Sequence, residues 1–205
     1  MLVTRYKSLI DQAYKPLATW LAGLGVSPTA ITLASPVLTA GVCLWFIRAQ
    51  AVVPFCLAIV AVGALDGLDG AVARVSGRVT KFGAYVDAMC DRYFEAMIAL
   101  SVAYVTGYWF LSMASLAGAL MVSYAKARAA IEVNVSNTEW PDLMERAERS
   151  ALYVGGLLAG DLLPNVRPWG HDLFWWALLV FTVLVHATVI QRALRARRLI
   201  AARSS

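Results

Sequence analysis

The chain has 205 residues, of which 60% are hydrophobic and only 15% are charged, and its mean hydropathy is +0.65. A soluble domain is closer to half apolar and a quarter charged, so the composition favours an integral membrane protein. The net charge of +5 comes from basic residues dispersed among apolar segments, which gives little support to nucleic-acid binding.

The first predicted element is an amphipathic helix within residues 1–25. Apolar residues recur there at helical spacing, charged residues occupy the other face, and two glycines follow. The scattered charges do not resemble the compact apolar core of a secretory signal. We therefore expect this helix to lie in the membrane interface.

Six apolar segments follow, each close to the length of about 20 residues that a helix needs to cross the hydrocarbon core. We place these spans at residues 28–48, 51–75, 82–107, 108–130, 147–165 and 172–193. Together they predict an all-α, six-helix membrane domain over residues 26–195, with a basic tail at 196–205. The polar stretch 132–148 is predicted to be a cytoplasmic loop.

The basic residues predict the orientation of these spans. Most of the 18 lysines and arginines fall at the termini and in alternate connections, whereas Arg48 and Arg167 fall on the opposite side. Because cytoplasmic loops are enriched in lysine and arginine, both termini are predicted to be cytoplasmic. The chain would then be a multi-pass protein of the cell (inner) membrane.

Four aspartates lie where the second and third spans are expected to meet. Asp66 and Asp69 are three residues apart, and Asp87 and Asp91 are four apart, so each pair lies on one helix face. Four unpaired negative charges are not stable together in a low-dielectric site. Oxygen ligands favour Mg²⁺ or Mn²⁺, and four carboxylates suit two ions that clamp a phosphate during its displacement.

Spacing alone leaves two other interpretations open. The carboxylates could be helix ends in water that pair with nearby cations, namely Arg74, Arg78, Lys81 and Arg92. They could also line a pathway for divalent cations or protons, because carboxylates within membrane segments mark transport routes as well. The cysteines and histidines lack the spacing of a disulfide or metal framework and are interpreted as structural.

The aspartates and their neighbours resemble a known family signature. Asp66-x-x-Asp69-Gly70-x-x-Ala73-Arg74, eight residues, then Gly83-x-x-x-Asp87-x-x-x-Asp91 is similar to the signature of the CDP-alcohol phosphotransferases at all eight fixed positions. The resemblance implies a six-helix membrane enzyme, commonly a homodimer. Such an enzyme transfers a substituted phosphate from a CDP-linked donor to an alcohol and releases CMP.

The same resemblance implies roles for individual residues. Asp66, Asp69 and Asp87 would be the core metal ligands, and Asp91 would complete the site and act as the general base. The CDP pocket would be lined by Thr32, Asp69, Gly70, Ala73, Arg74 and Gly83. Thr32 ends a stretch similar to the family's Pro-Asn-x-x-Thr, in which Thr29 stands in place of asparagine.

Three further stretches, residues 123–129, 145–149 and 191–192, resemble those of bacterial phosphatidylinositol phosphate synthases and, less closely, of archaeal archaetidylinositol phosphate synthases. The resemblance implies that Lys126, Arg149 and Arg192 hold the phosphate of the acceptor. The donor would be CDP-diacylglycerol or a related CDP-lipid, and the acceptor would be inositol phosphate.

These three cations leave alternatives open. Glycerol 3-phosphate is another anionic acceptor, and its product would be phosphatidylglycerol phosphate. Lys126 and Arg149 could instead set the topology or pair with nearby glutamates, and Arg192 could belong to a membrane-anchoring tail.

Overall fold

The computed structural model of the protein describes residues 2–132, 143–144 and 146–203, with side chains from residue 12 to residue 202 within those ranges. Regular structure in this part of the chain is helical, as predicted, and most of the polar stretch 132–148 lies outside the described residues. The helices are α1 (Leu2–Gly23), α2 (Pro28–Ala49), α3 (Val52–Val75), α4 (Lys81–Thr106), α5 (Trp109–Glu132), α6 (Arg146–Leu162) and α7 (Leu173–Arg203), with a 3-10 turn at Pro168–Gly170 before α7.

Four of these helices, α2, α3, α5 and α7, are long and apolar enough to cross a membrane. The chain is therefore a multi-pass, all-α membrane protein, and this fold prediction is confirmed. Charged residues crowd the first half of α4, and α6 has only 17 residues. The number of six spans thus stays a prediction. The predicted basic tail at 196–205 is helical as far as Arg203, where α7 ends.

The chain forms two compact units, Met1–Val105 and Thr106–Ser205. In the first unit, α2 packs on α3, and the rings of Phe46 and Phe55 stack with centroids 3.9 Å apart. The predicted amphipathic helix is present as α1, and it packs on α3. Buried Ala18 contacts α3, and the Tyr14 hydroxyl donates to the carbonyl of Ala64 at 2.9 Å. Part of the apolar face of α1 is thus packed in the protein core, whereas Trp20 is 60% exposed.

In the second unit, α7 packs against both α5 and α6. Small residues allow this approach, since a Cβ added at Gly118, Gly156 or Gly160 would lie within 3.0 Å of an α7 side chain. Gly156 faces Ala177 and Gly160 faces Phe174, so α6 and α7 are antiparallel. The end of α5, the start of α6 and the second half of α7 therefore lie at one end of this unit.

The contacts of the cysteines and histidines are those of residues that pack within the protein. Cys43, Cys56 and Cys90 are buried, and they form no disulfide. His171 stacks on Trp175 with ring centroids 4.0 Å apart, and His186 Nε2 lies 3.1 Å from the carbonyl oxygen of Ala114.

Candidate active site

The turn between α3 and α4 connects the two helices that carry the aspartates, and it determines where α3 ends and where α4 begins. Gly77 has φ +66°, a left-handed conformation that favours glycine. The next residue, Arg78, donates its backbone N–H to the carbonyl of Ala73 at 2.9 Å, which completes the C-cap of α3. The Thr80 hydroxyl accepts the N–H of Gly83 at 2.9 Å and caps the start of α4.

Three of the four aspartates meet at one point. One carboxylate oxygen from each of Asp66, Asp87 and Asp91 lies within 4.8 Å of the other two. Asp66 is buried, and the other two are partly buried. An all-oxygen donor set of this kind fits a hard divalent cation such as Mg²⁺ or Mn²⁺.

A cation also borders this group. The Arg92 guanidinium lies 3.6 Å from Asp91 Oδ2 and donates to Glu95 Oε2 at 3.0 Å. Arg92 is thus close to two carboxylates, those of Asp91 and Glu95.

Asp69 takes a different partner. Its Oδ2 accepts a 2.5 Å hydrogen bond from the Thr32 hydroxyl on α2, and its Oδ1 accepts the N–H of Gly70. Thr32 and Asp69 are only 3% and 8% exposed, so this bond joins α2 to α3 with little contact with solvent. The structure therefore brings three predicted metal ligands together and holds the fourth beside them.

A cavity of about 280 Å³ opens next to these carboxylates, a little below the usual lower limit for ligand clefts. Asp87 lines it and also belongs to the three-carboxylate group. The wall includes all six residues expected around CDP: Thr32, Asp69, Gly70, Ala73, Arg74 and Gly83. Residues that are far apart in sequence thus surround one space of nucleotide scale.

The wall of the cavity explains one glycine of the signature. A Cβ added at Gly70 would lie 3.3 Å from Arg74 Nη1, so the Arg74 guanidinium lies directly over this glycine. A side chain at residue 70 would displace the guanidinium and narrow the cavity.

Six residues of this wall were not among the predicted site residues, and two of them, Arg78 and Thr80, are polar residues of the turn before α4. Arg78 and Thr80 line the cavity although they lie between the fixed positions of the signature. The signal that could have found them is local: a glycine that reverses the chain, followed by a threonine three residues before Gly83.

The three cations expected to bind the acceptor belong to the second unit. Arg149 and Arg192 are each only 7% exposed, and Lys126 is half-buried. Arg192 Nη1 donates to the carbonyl of Val122, one helical turn before Lys126. The helix register places all three residues at the same end of this unit.

The connection that precedes α6 is fastened at this same end. The Gln191 side chain accepts the N–H of Leu143 at 2.9 Å, and Met144 is buried against α5 and α7. The start of α6, which carries Arg149, is thereby held close to α7. Glu145, which belongs to one of the stretches compared above, lies outside the described residues.

Known proteins resemble this chain over most of its length. A family model described as CDP-alcohol phosphatidyltransferase matches residues 25–185. The chain is 33% identical to an archaetidylinositol phosphate synthase of Pyrococcus horikoshii, over 72% of this chain and 78% of the relative. It is 31% identical to a phosphatidylinositol phosphate synthase of Corynebacterium glutamicum, over 89% of this chain and 83% of the relative.

A solved structure has the same fold. The crystal structure of the Mycobacterium tuberculosis phosphatidylinositol phosphate synthase with CDP-DAG bound matches with a TM-score of 0.78 at 22% identity, over 90% of this chain and 94% of that chain. The same enzyme in complex with manganese and citrate matches with a TM-score of 0.77 at 22% identity, over 89% of this chain and 88% of that chain.

Proposed function

The chain belongs to the CDP-alcohol phosphatidyltransferase family, and we propose that it transfers a phosphatidyl group, or its archaeal equivalent, from a CDP-linked lipid to inositol phosphate with release of CMP. It is a membrane transferase of phospholipid biosynthesis. The family match favours this enzyme over the ion or proton pathway that the aspartates alone left open.

The observation that carries the proposal is that the three-carboxylate group and the cavity share Asp87. A nucleotide in the cavity would therefore have its phosphates beside the carboxylates. The six cavity residues expected around CDP would contact the CMP half of the donor, and the lipid half would stay in the membrane.

The donor set fits two divalent cations, which we propose to be held by Asp66, Asp69, Asp87 and Asp91. When bound, Mg²⁺ or Mn²⁺ supplies positive charge that offsets the charge of the donor pyrophosphate and of the leaving CMP. The four aspartates would fix that charge beside Arg74, whose guanidinium lies over Gly70.

Asp91 is the proposed general base. It would accept the proton of the acceptor hydroxyl while the hydroxyl oxygen attacks the phosphorus of the lipid phosphate. The bond from that phosphorus to the oxygen of CMP breaks, and CMP leaves with the electron pair.

The acceptor would be recognised by Lys126, Arg149 and Arg192. Two buried guanidinium groups at one end of a helix bundle suit an anionic acceptor, because a planar guanidinium binds phosphate through two parallel hydrogen bonds. The names of the two relatives above support inositol phosphate over glycerol 3-phosphate. The positive-inside pattern supports a cytoplasmic active site, and a homodimer is part of the proposal.

The test is an acceptor comparison with purified protein, CDP-diacylglycerol and Mg²⁺ or Mn²⁺. Inositol phosphate, glycerol 3-phosphate, inositol and serine would each be offered, and lipid products would be identified by mass. We expect product with inositol phosphate alone. Product with glycerol 3-phosphate instead would keep the family chemistry and overturn the acceptor assignment.

Matched variants connect this activity to the named residues. Asp91→Asn should lower kcat by at least about a hundredfold, the low end for loss of a general base, with CMP binding retained. Asp161→Asn, on the exposed side of α6, should have no effect. Arg149→Gln should raise the KM of the acceptor and leave that of the donor unchanged. Its control is Arg128→Gln, at a residue that pairs with Glu132 on the surface of α5.

A further inference from the structure

Arg78 lies in the wall of the nucleotide-sized cavity, between the fixed positions of the family signature. Its position is defined by the fold, because its backbone N–H is bonded to the carbonyl of Ala73 and the preceding Gly77 reverses the chain. An exposed side chain is thus attached to an anchored backbone at the cavity edge.

The two arginines of the cavity wall differ in their surroundings. Arg74 is folded back along α3, with Nη1 over Gly70. The Arg78 guanidinium, by contrast, has no hydrogen-bond or ion-pair partner among the described residues of the chain. Arg78 is therefore the cation of this wall that is available to an incoming anion.

The charges around the cavity favour a role for the Arg78 guanidinium in binding an anion. The cavity wall contains two carboxylates, Asp69 and Asp87, and both repel the phosphates of a nucleotide until they are neutralised. A guanidinium at the edge attracts a phosphate and can bind two of its oxygens in parallel, a geometry that neither a hydroxyl nor an amide offers.

We propose that Arg78 is a specificity-determining residue that binds a phosphate of the nucleotide half of the donor. This inference depends on the proposed function, since it takes the cavity to be the CDP site. The chemistry recognised is a phosphate group, and the headgroup phosphate of a membrane lipid is a second source of the same group.

The experiment compares Arg78→Gln and Arg78→Lys with Lys81→Gln. Lys81 is the matched control: it is an exposed cation three residues away, in the first turn of α4, and it is not part of the cavity wall. CMP and cytidine binding would be measured with full-length protein in Mn²⁺, and KM and kcat would be measured for both substrates.

We expect Arg78→Gln to raise the Kd of CMP and the KM of CDP-diacylglycerol about tenfold, the scale of one lost charge-assisted hydrogen bond. The Kd of cytidine, the KM of inositol phosphate and the kcat at saturation should stay the same. Arg78→Lys should recover most of the loss, because it keeps the charge, and Lys81→Gln should bind CMP like the wild type.

Four outcomes would overturn the proposal. Equal effects of Arg78→Gln and Lys81→Gln on CMP binding would mean that Arg78 acts only through the general electrostatic potential near the cavity. A loss seen with CDP-diacylglycerol in anionic nanodiscs, but not with soluble CMP, would assign Arg78 to lipid headgroups. Failure of the wild type to bind CMP in the presence of metal would refute the proposed function itself, whereas normal CMP binding by Arg78→Gln would refute only the role of Arg78.

Discussion

The contact between α6 and α7 can be tested with two adjacent glycines. A Cβ added at Gly156 would lie less than 3.0 Å from the Ala177 side chain, whereas one added at Gly155 would meet nothing within 4 Å. Carbon atoms normally pack about 3.5–4.0 Å apart, so Gly156→Ala must push the helices apart by at least about half an ångström. Gly155→Ala adds a methyl group to open space.

The expected magnitudes follow from this difference. Overpacking costs about 1–3 kcal/mol, and alanine returns roughly 0.5–1 kcal/mol through its helix propensity. Gly156→Ala should therefore lose about 1 kcal/mol, with an upper limit of about 2.5 kcal/mol, which corresponds to a Tm decrease of roughly 2–10 °C for a chain of this size. Gly155→Ala should be neutral or raise the Tm.

The assay is the heat-induced loss of monodisperse protein in one detergent, followed for both single variants and for Gly156→Ala combined with Ala177→Gly. The double variant moves the methyl group from one helix to the other and should restore most of the Tm. Equal Tm values for the two single variants, or no recovery in the double variant, would refute the packing geometry. Because α6 and α7 carry Arg149 and Arg192, Gly156→Ala should also raise the acceptor KM while the donor KM stays constant.

Three further outcomes are expected. Thr32→Val should raise the metal concentration for half-maximal activity several-fold, because Asp69 loses its 2.5 Å hydrogen bond. Thr32→Ser keeps the hydroxyl and should need the same metal concentration as the wild type. EDTA should abolish turnover and the stabilisation by CMP against heat, and Mn²⁺ should restore both. Burial and the hydrogen bond to Asp172 raise the pKa of Tyr108 from 10.0 to about 12. This stabilisation is complete below pH 10 and is lost as the pH rises to 12, so alkaline melts should show a smaller Tm decrease for Tyr108→Phe than for the wild type.

The positions of the helices could be predicted closely from the sequence. The spans expected at residues 28–48 and 51–75 are observed as Pro28–Ala49 and Val52–Val75. The agreement has a physical cause: in hydrocarbon, each backbone N–H and C=O must bond within its own helix, so hydropathy and helix-breaking residues determine where helices begin and end. The last helix, Leu173–Arg203, is longer than the predicted span of residues 172–193, because α7 continues beyond the apolar segment.

Helix packing could not be predicted in the same way. The amphipathic pattern of α1 indicated an apolar face but not its partner, and part of that face lies against α3. The sequence of α6 shows glycines at positions 156 and 160, but only the structure shows that α7 packs against the helix at both of them. A sequence shows that a residue is small, but which side chain packs against that residue depends on the position of the neighbouring helix.

The sequence by itself indicated the chemistry of the site, because the four aspartates together with their neighbours resemble the signature of a metal-dependent phosphotransferase family. The spacing of the aspartates alone left a structural role and an ion pathway open. The tertiary structure decided how those carboxylates are distributed. Successive helical residues are about 100° apart, so Asp66 and Asp69 differ by about 60° around α3 and can face different neighbours. Asp66 meets the carboxylates of α4, and Asp69 turns to Thr32 on α2, since the positions of the adjacent helices determine which partner each carboxylate reaches.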